Sequence, residues 1–218
     1  MQTTETDILY AKLVTGARPG EVPTPETIRQ GTVRMEDHPD YEATLQKAKD
    51  AGFEIQWTDK DPYVEVIEVY DQNRNFIRLE KKLCLQKGMR YLDLEHEWGH
   101  IEQFSRFGDK LPPTEKLVEL PNGRRYKYNI RDGILTASQS TIMEYHNRLV
   151  EFIHLHSRGV ELELLTEHAS GVNFWRDRYW RKGLGKGNSS SKRAWANKYF
   201  GDIDDLSVKY DQIIQEIN

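Results

Sequence analysis

Residues 89–107, MRYLDLEHEWGHIEQFSRF, carry the pattern that ties a local structure to a chemistry. Leu94, Trp98 and Ile101 recur at helical spacing, no proline interrupts them, and Gly108 stands where a helix would stop. Inside this helix His96-Glu97-Trp98-Gly99-His100 spells H-E-x-x-H. Residues four apart on an α-helix differ by about 40° around its axis, so His96 and His100 share one side, about 200° from Trp98. That spacing suits a single zinc ion. Glu97, beside the first ligand, is the candidate catalytic residue: a carboxylate able to take a proton from water whose pKa zinc has lowered towards about 7.

Working outward, 38–52 (HPDYEATLQKAKDAG) predicts a helix opened by its Pro-Asp pair and stopped by Gly52. The runs FEIQW (53–57), YVEVIEVY (63–70) and NFIRLEKKLCL (75–85) predict three strands, the last two a hairpin through DQNRN. Glu65 and Glu68 interrupt the apolar side of YVEVIEVY, which predicts a wet face or an exposed edge. LPPTEKLVELPNGRRYKYNI (111–130) reads as a loop whose second half can form a short hairpin at Pro121-Asn122-Gly123. Residues 137–159 form the next helix, with Ser138 or Ser140 as N-cap, and 161–182 another; a Gly/Ser-rich stretch (183–191) and a last helical run from Leu206 follow. The expected fold is α+β: a small, mostly antiparallel sheet packed on the motif helix, then a helical C-terminal part. Its expected divisions are an extended arm at 1–37, a core at 38–160 and a helical subdomain at 161–218.

Composition narrows the chemistry. Among 218 residues there is one cysteine, Cys84, which excludes an intramolecular disulfide and a thiolate cluster, so a metal must be held by His, Asp or Glu. No apolar run approaches the roughly 18 residues of a membrane span, and MQTTETDILY lacks the basic and apolar regions of a Sec signal peptide, so the chain is expected to be compatible with the cytoplasm. The net charge of −4 is uneven: 176–198 carries +7 and the rest −11. Aromatic residues interleave the basic ones over 174–200, in a composition resembling single-stranded nucleic-acid binders. The alternative to an enzyme is therefore a non-catalytic module contacting nucleic acid or an acidic protein through 174–200. The plainer reading of that segment is aromatic core covered by basic stems.

HEWGH resembles the motif of zincin metallopeptidases, with Gly99 where many of them carry glycine, and the likeness covers about residues 53–160. It implies a peptide or protein substrate, one zinc ion per chain, and a sheet edge, here YVEVIEVY, that pairs with extended substrate. Gln103 and Arg106 stand where the metzincin branch would need glycine and histidine. The gluzincin order instead implies a third ligand from a later helix. Glu144 takes that place, with Met143 and Arg148 where the branch has asparagine and aspartate; Glu151 and His146 are the alternatives. An oxyanion donor would be Tyr145, His146 or His168. His154 and His156, two apart, point about 200° from one another and do not share a metal. Residues 144–172 also resemble the C-terminal part of metallopeptidase domains of bacterial polymorphic toxins. That implies an effector delivered within a larger secreted protein and opposed by an immunity or inhibitor protein.

Overall fold

The structure, a computed structural model, describes residues 23–108, 110–130, 132–185 and 189–217. Residues 1–22 of the expected arm lie outside them, while the rest of the arm is folded. Thr24 caps α1 (Pro25–Gln30): its hydroxyl takes the Thr27 N–H, and the Thr27 hydroxyl takes the Thr24 N–H. A 3₁₀ turn at Met35–Asp37 leads into α2 (Tyr41–Asp50). Then come β1 (Glu54–Trp57), β2 (Tyr63–Tyr70), β3 (Phe76–Leu85), the motif helix α3 (Tyr91–Ser105), β4 (Glu115–Glu119) and β5 (Arg125–Lys127). Helix α4 (Ala137–Ser157) is capped by Thr136 and Gln139, one turn before the serines expected to do so. Helix α5 (Leu162–Arg178) runs into a π-helical turn at Tyr179–Gly183, followed by α6 (Ser190–Phe200) and α7 (Ile203–Ile217).

The class is α+β, with helices dominating the C-terminal part. The sheet order is β1-β3-β2-β4-β5. It is mixed rather than mostly antiparallel: β1 pairs with β3 and β2 with β4 in parallel, β4 with β5 antiparallel. The cause is connectivity. Strand β2 reaches β4 only after β3 and α3, a crossover long enough for parallel pairing, whereas the five-residue turn 71–75 forces β2 and β3 to run antiparallel.

This order also corrects the expected edge. YVEVIEVY is interior, with β3 on one side and β4 on the other; the edges are β1 and β5. Glu68, which made the strand look wet, is met by Lys116 of β4 at 3.1 Å and by the Tyr70 hydroxyl at 2.6 Å. Val66, Ile67 and Val69 are buried beside it.

The described residues divide into two compact units, one within 23–64 and 81–98, the other within 65–80 and 99–217; the boundary cuts β2, β3 and α3 along their lengths. In the first, residues 31–38 anchor the start of α3. The Tyr91 N–H donates to the Val33 carbonyl and the Leu92 N–H to that of Gly31, each at 2.9 Å, which satisfies donors a helix start leaves open. The Tyr91 ring stacks on His38 at 3.5 Å, and its hydroxyl meets Thr44 at 2.9 Å. In the second unit Arg78, Glu80, Glu119 and Arg125 form a ladder of charge-assisted bonds across the sheet. Its helices pack around α4, with Tyr145, Leu149, Phe152 and Leu155 buried and the Phe152 ring edge-on to Tyr210 at 4.8 Å.

Candidate metal centre

Helix α3 is buried on more than one side. Leu94 and Ile101 sit in the core as their stripe predicts, but His96, Glu97 and Gln103 are buried too. Buried polar side chains persist where their partners are built in, so this helix keeps polar groups on part of its core-facing surface.

One donor atom from each of His96, His100 and Glu144 lies within 4.8 Å of the others, the one such group of three among the described residues. Glu144 comes from α4, which approaches α3 at Gly99: a Cβ on Gly99 would stand 2.1 Å from Asn147 Oδ1, an impossible contact. The glycine of HEWGH thus leaves room for the Asn147 side chain, one turn after Glu144 on α4.

The contact between His100 Nε2 and Glu144 Oε1 measures 3.3 Å. Its meaning depends on which ring nitrogen of His100 carries hydrogen, and the neighbours fix that. Gln103 Nε2 donates to the Met143 carbonyl at 2.7 Å, so Gln103 Oε1 is the acceptor that meets His100 Nδ1 at 2.9 Å. His100 Nδ1 therefore carries the hydrogen, and neutral His100 presents a lone pair at Nε2 to a carboxylate oxygen. Only a second proton on the ring or a cation between the two atoms makes that contact favourable. A charge-assisted N–H···O bond would close to about 2.7–2.9 Å. Two ligands about 2.0–2.1 Å from a tetrahedral zinc stand about 3.3 Å apart. The observed 3.3 Å admits both, since His146 Nε2 meets Asp202 at the same distance. Two imidazole nitrogens and one carboxylate oxygen, with no sulfur, also make the donor set of an open catalytic zinc site. His100 and Glu144 keep 11% and 28% of their side-chain surface exposed, which leaves the site reachable.

The alternatives for the third ligand are engaged elsewhere. His146 Nδ1 accepts from Gln103 Nε2 at 3.0 Å and its Nε2 donates to Asp202 at 3.3 Å; burial pulls this imidazole down to about 4 despite the nearby carboxylate, so it is neutral. Glu151 pairs with Arg148 at 2.8 Å and lies 3.7 Å from His168 Nδ1. The proposed oxyanion donors are likewise turned to other partners: Tyr145 OH meets Ser207 at 2.9 Å and Arg176 at 3.1 Å, His146 and His168 as above. His154 is exposed on the outer side of α4.

Four residues of the site escape sequence reasoning: Gln103, Asn147, Arg106 and Asp202. Gln103 and Arg106 were legible only as departures from a metzincin. Arg106 binds Asp202 at 3.1 Å and the Tyr199 carbonyl at 3.2 Å. In the basic aromatic segment, Trp195, Tyr199 and Phe200 cluster on Phe107, and Arg178, Arg193 and Lys198 lie over the rings of Phe174, Trp180 and Tyr199. Trp195, Tyr199 and Phe200 thus pack together as the plainer reading of 174–200 expects, while Trp180 stays 49% exposed.

Compared with known proteins, the chain matches no protein-family model, no curated protein and no solved structure, so its site is read from its own geometry.

Proposed function

We propose that the chain is a zinc-dependent peptidase whose metal is held by His96, His100 and Glu144. The observation that carries this reading is the 3.3 Å approach of the His100 Nε2 lone pair to Glu144 Oε1, with the His100 hydrogen committed to Gln103. Zinc supplies Lewis acidity that lowers the pKa of water to about 7 and polarises a carbonyl. Glu97, buried and next to His96 on the same helix, takes the proton of the attacking water and returns it to the departing amine. Helix α3 holds Glu97 and both histidines in one rigid element, so base and ligands keep fixed mutual positions. A peptide rather than another acyl substrate is supported by the likeness of HEWGH to the zincins, and an effector role by that of 144–172 to toxin domains.

The test pairs metal analysis with one substitution. Purified chain should carry one zinc, and Glu97→Gln should keep zinc and thermal stability while lowering peptide hydrolysis by about 10²–10⁴-fold, the usual worth of a general base. Full activity in Glu97→Gln contradicts the assignment, and so does a chain that purifies with iron or without stoichiometric metal. If the effector role holds, expression in a bacterial cytoplasm arrests growth and Glu97→Gln relieves the arrest.

A further inference from the structure

Five side chains form one line of hydrogen bonds behind the candidate metal centre. The Met143 carbonyl accepts from Gln103 Nε2 at 2.7 Å, and because a carbonyl only accepts, that single bond sets the direction of every other. Gln103 Nε2 also donates to His146 Nδ1 at 3.0 Å. His146 must then carry its hydrogen on Nε2, where it meets Asp202 at 3.3 Å. On the other side Gln103 Oε1 accepts from His100 Nδ1 at 2.9 Å. Arg106 closes the far end on Asp202 at 3.1 Å. Gln103 and His146 are 2% exposed. The line runs from the segment joining α6 to α7, through α4, to the ring of His100.

We propose that Gln103, itself oriented by His146 and Asp202, is a positioning residue that holds His100 in the Nδ1–H tautomer and so keeps Nε2 available as a metal ligand. The proposal rests on His100 being a ligand in the proposed function. Free imidazole has no need of this tautomer, and a lone glutamine amide could be turned either way. The Met143 carbonyl and His146 remove that freedom, and Asp202 removes the matching freedom of His146. Partners of this kind orient a ligating histidine and raise its basicity, and their loss typically costs about 10–100-fold in metal affinity. The C-terminal helices thus contribute to metal binding although they supply no ligand.

The experiment has one readout without metal and one with it. In the metal-free full chain at about pH 8, where an ordinary imidazole is neutral, long-range ¹H–¹⁵N spectra should show His100 protonated at Nδ1, and Gln103→Leu should move it towards the Nε2–H form. Zinc affinity measured against a competing chelator should fall about 10–100-fold in Gln103→Leu. Gln103→Glu, which keeps an acceptor facing His100 but sets a second acceptor against the Met143 carbonyl, should recover only part of that loss. Asp202→Ala should give a smaller loss than Gln103→Leu, since it acts two bonds further out. In a His100→Ala background Gln103→Leu should have no further effect on affinity; an undiminished loss there marks a merely structural role and overturns the proposal. Unchanged tautomer and affinity in Gln103→Leu overturn it as well. Absence of zinc from a chain whose His100 tautomer responds as stated contradicts the proposed function and leaves the positioning role supported.

Discussion

Glu144 and Glu151 sit seven residues apart on α4, two turns along one helix, and have opposite surroundings. Glu151 is 9% exposed, gripped by Arg148 at 2.8 Å and near His168, so it faces a cation that the chain itself supplies. Glu144 is 28% exposed and faces the lone-pair side of a histidine whose hydrogen is spent on Gln103. The first carboxylate is part of how α4 and α5 hold together. The second contact becomes favourable once a cation enters. Both lie near a histidine, at 3.7 and 3.3 Å, so proximity to histidine identifies no ligand; the hydrogen of His100, spent on Gln103, sets Glu144 apart.

Removing each carboxylate breaks the comparison most sharply. Glu144→Ala should lower zinc affinity by more than about 100-fold, since even outer partners are worth about 10–100-fold, with little change in the stability of the metal-free chain. Glu151→Ala should leave zinc affinity near that of the parent and cost about 1–3 kcal/mol of stability, because it strands a partly buried guanidinium. Chelator competition and urea unfolding read the two effects, and interchanged results would reverse the assignment.

A smaller effect is expected where α4 meets α3. Gly99→Ala places a methyl 2.1 Å from Asn147 Oδ1, so the buried Asn147 side chain must give way, at a cost of about 1–3 kcal/mol, with weaker zinc binding where that shift reaches Glu144 one turn away. Adding Asn147→Ala should recover part of both losses. Binding by Gly99→Ala equal to the parent's would show that the close approach is not needed.

The smallest effect concerns the rings packed along α4. Burial raises the phenols of Tyr179 and Tyr210 to about 12, and both rings pack against α4. An unfolded tyrosine loses its proton near pH 10, so between about 10 and 12 the folded chain binds more protons than the unfolded one and stability falls as pH rises. Tyr210→Phe should flatten that alkaline limb; an unchanged slope in unfolding free energy from pH 10 upward would contradict it.

Much of this architecture was legible in the sequence for physical reasons that can be named. Helix α3 and the β2/β3 hairpin declared themselves through periodicity and the turn 71–75, whereas Glu144 is picked out only by the resemblance to the gluzincin order, with Glu151 and His146 beside it. The position of β2 did not, because a strand's neighbour is a long-range choice: only the folded chain shows Lys116 neutralising Glu68. Strand β4 was hidden between prolines, and α6 behind the Ser-rich stretch that precedes it. Gln103 looked like an absent glycine. Its role comes from the Met143 carbonyl forty residues away, which no spacing rule within α3 could reveal. Gly99 was noticed for its resemblance, and its physical reason, the approach of Asn147, came with the fold.

The most direct measurement is zinc K-edge X-ray absorption on the purified chain and on Glu144→Ala. The account predicts one zinc with two imidazole nitrogens and oxygen ligands at about 2.0–2.2 Å and no sulfur in the parent, and loss of that zinc in the variant. A parent without stoichiometric zinc, a sulfur ligand, or a first shell unchanged by Glu144→Ala would contradict it.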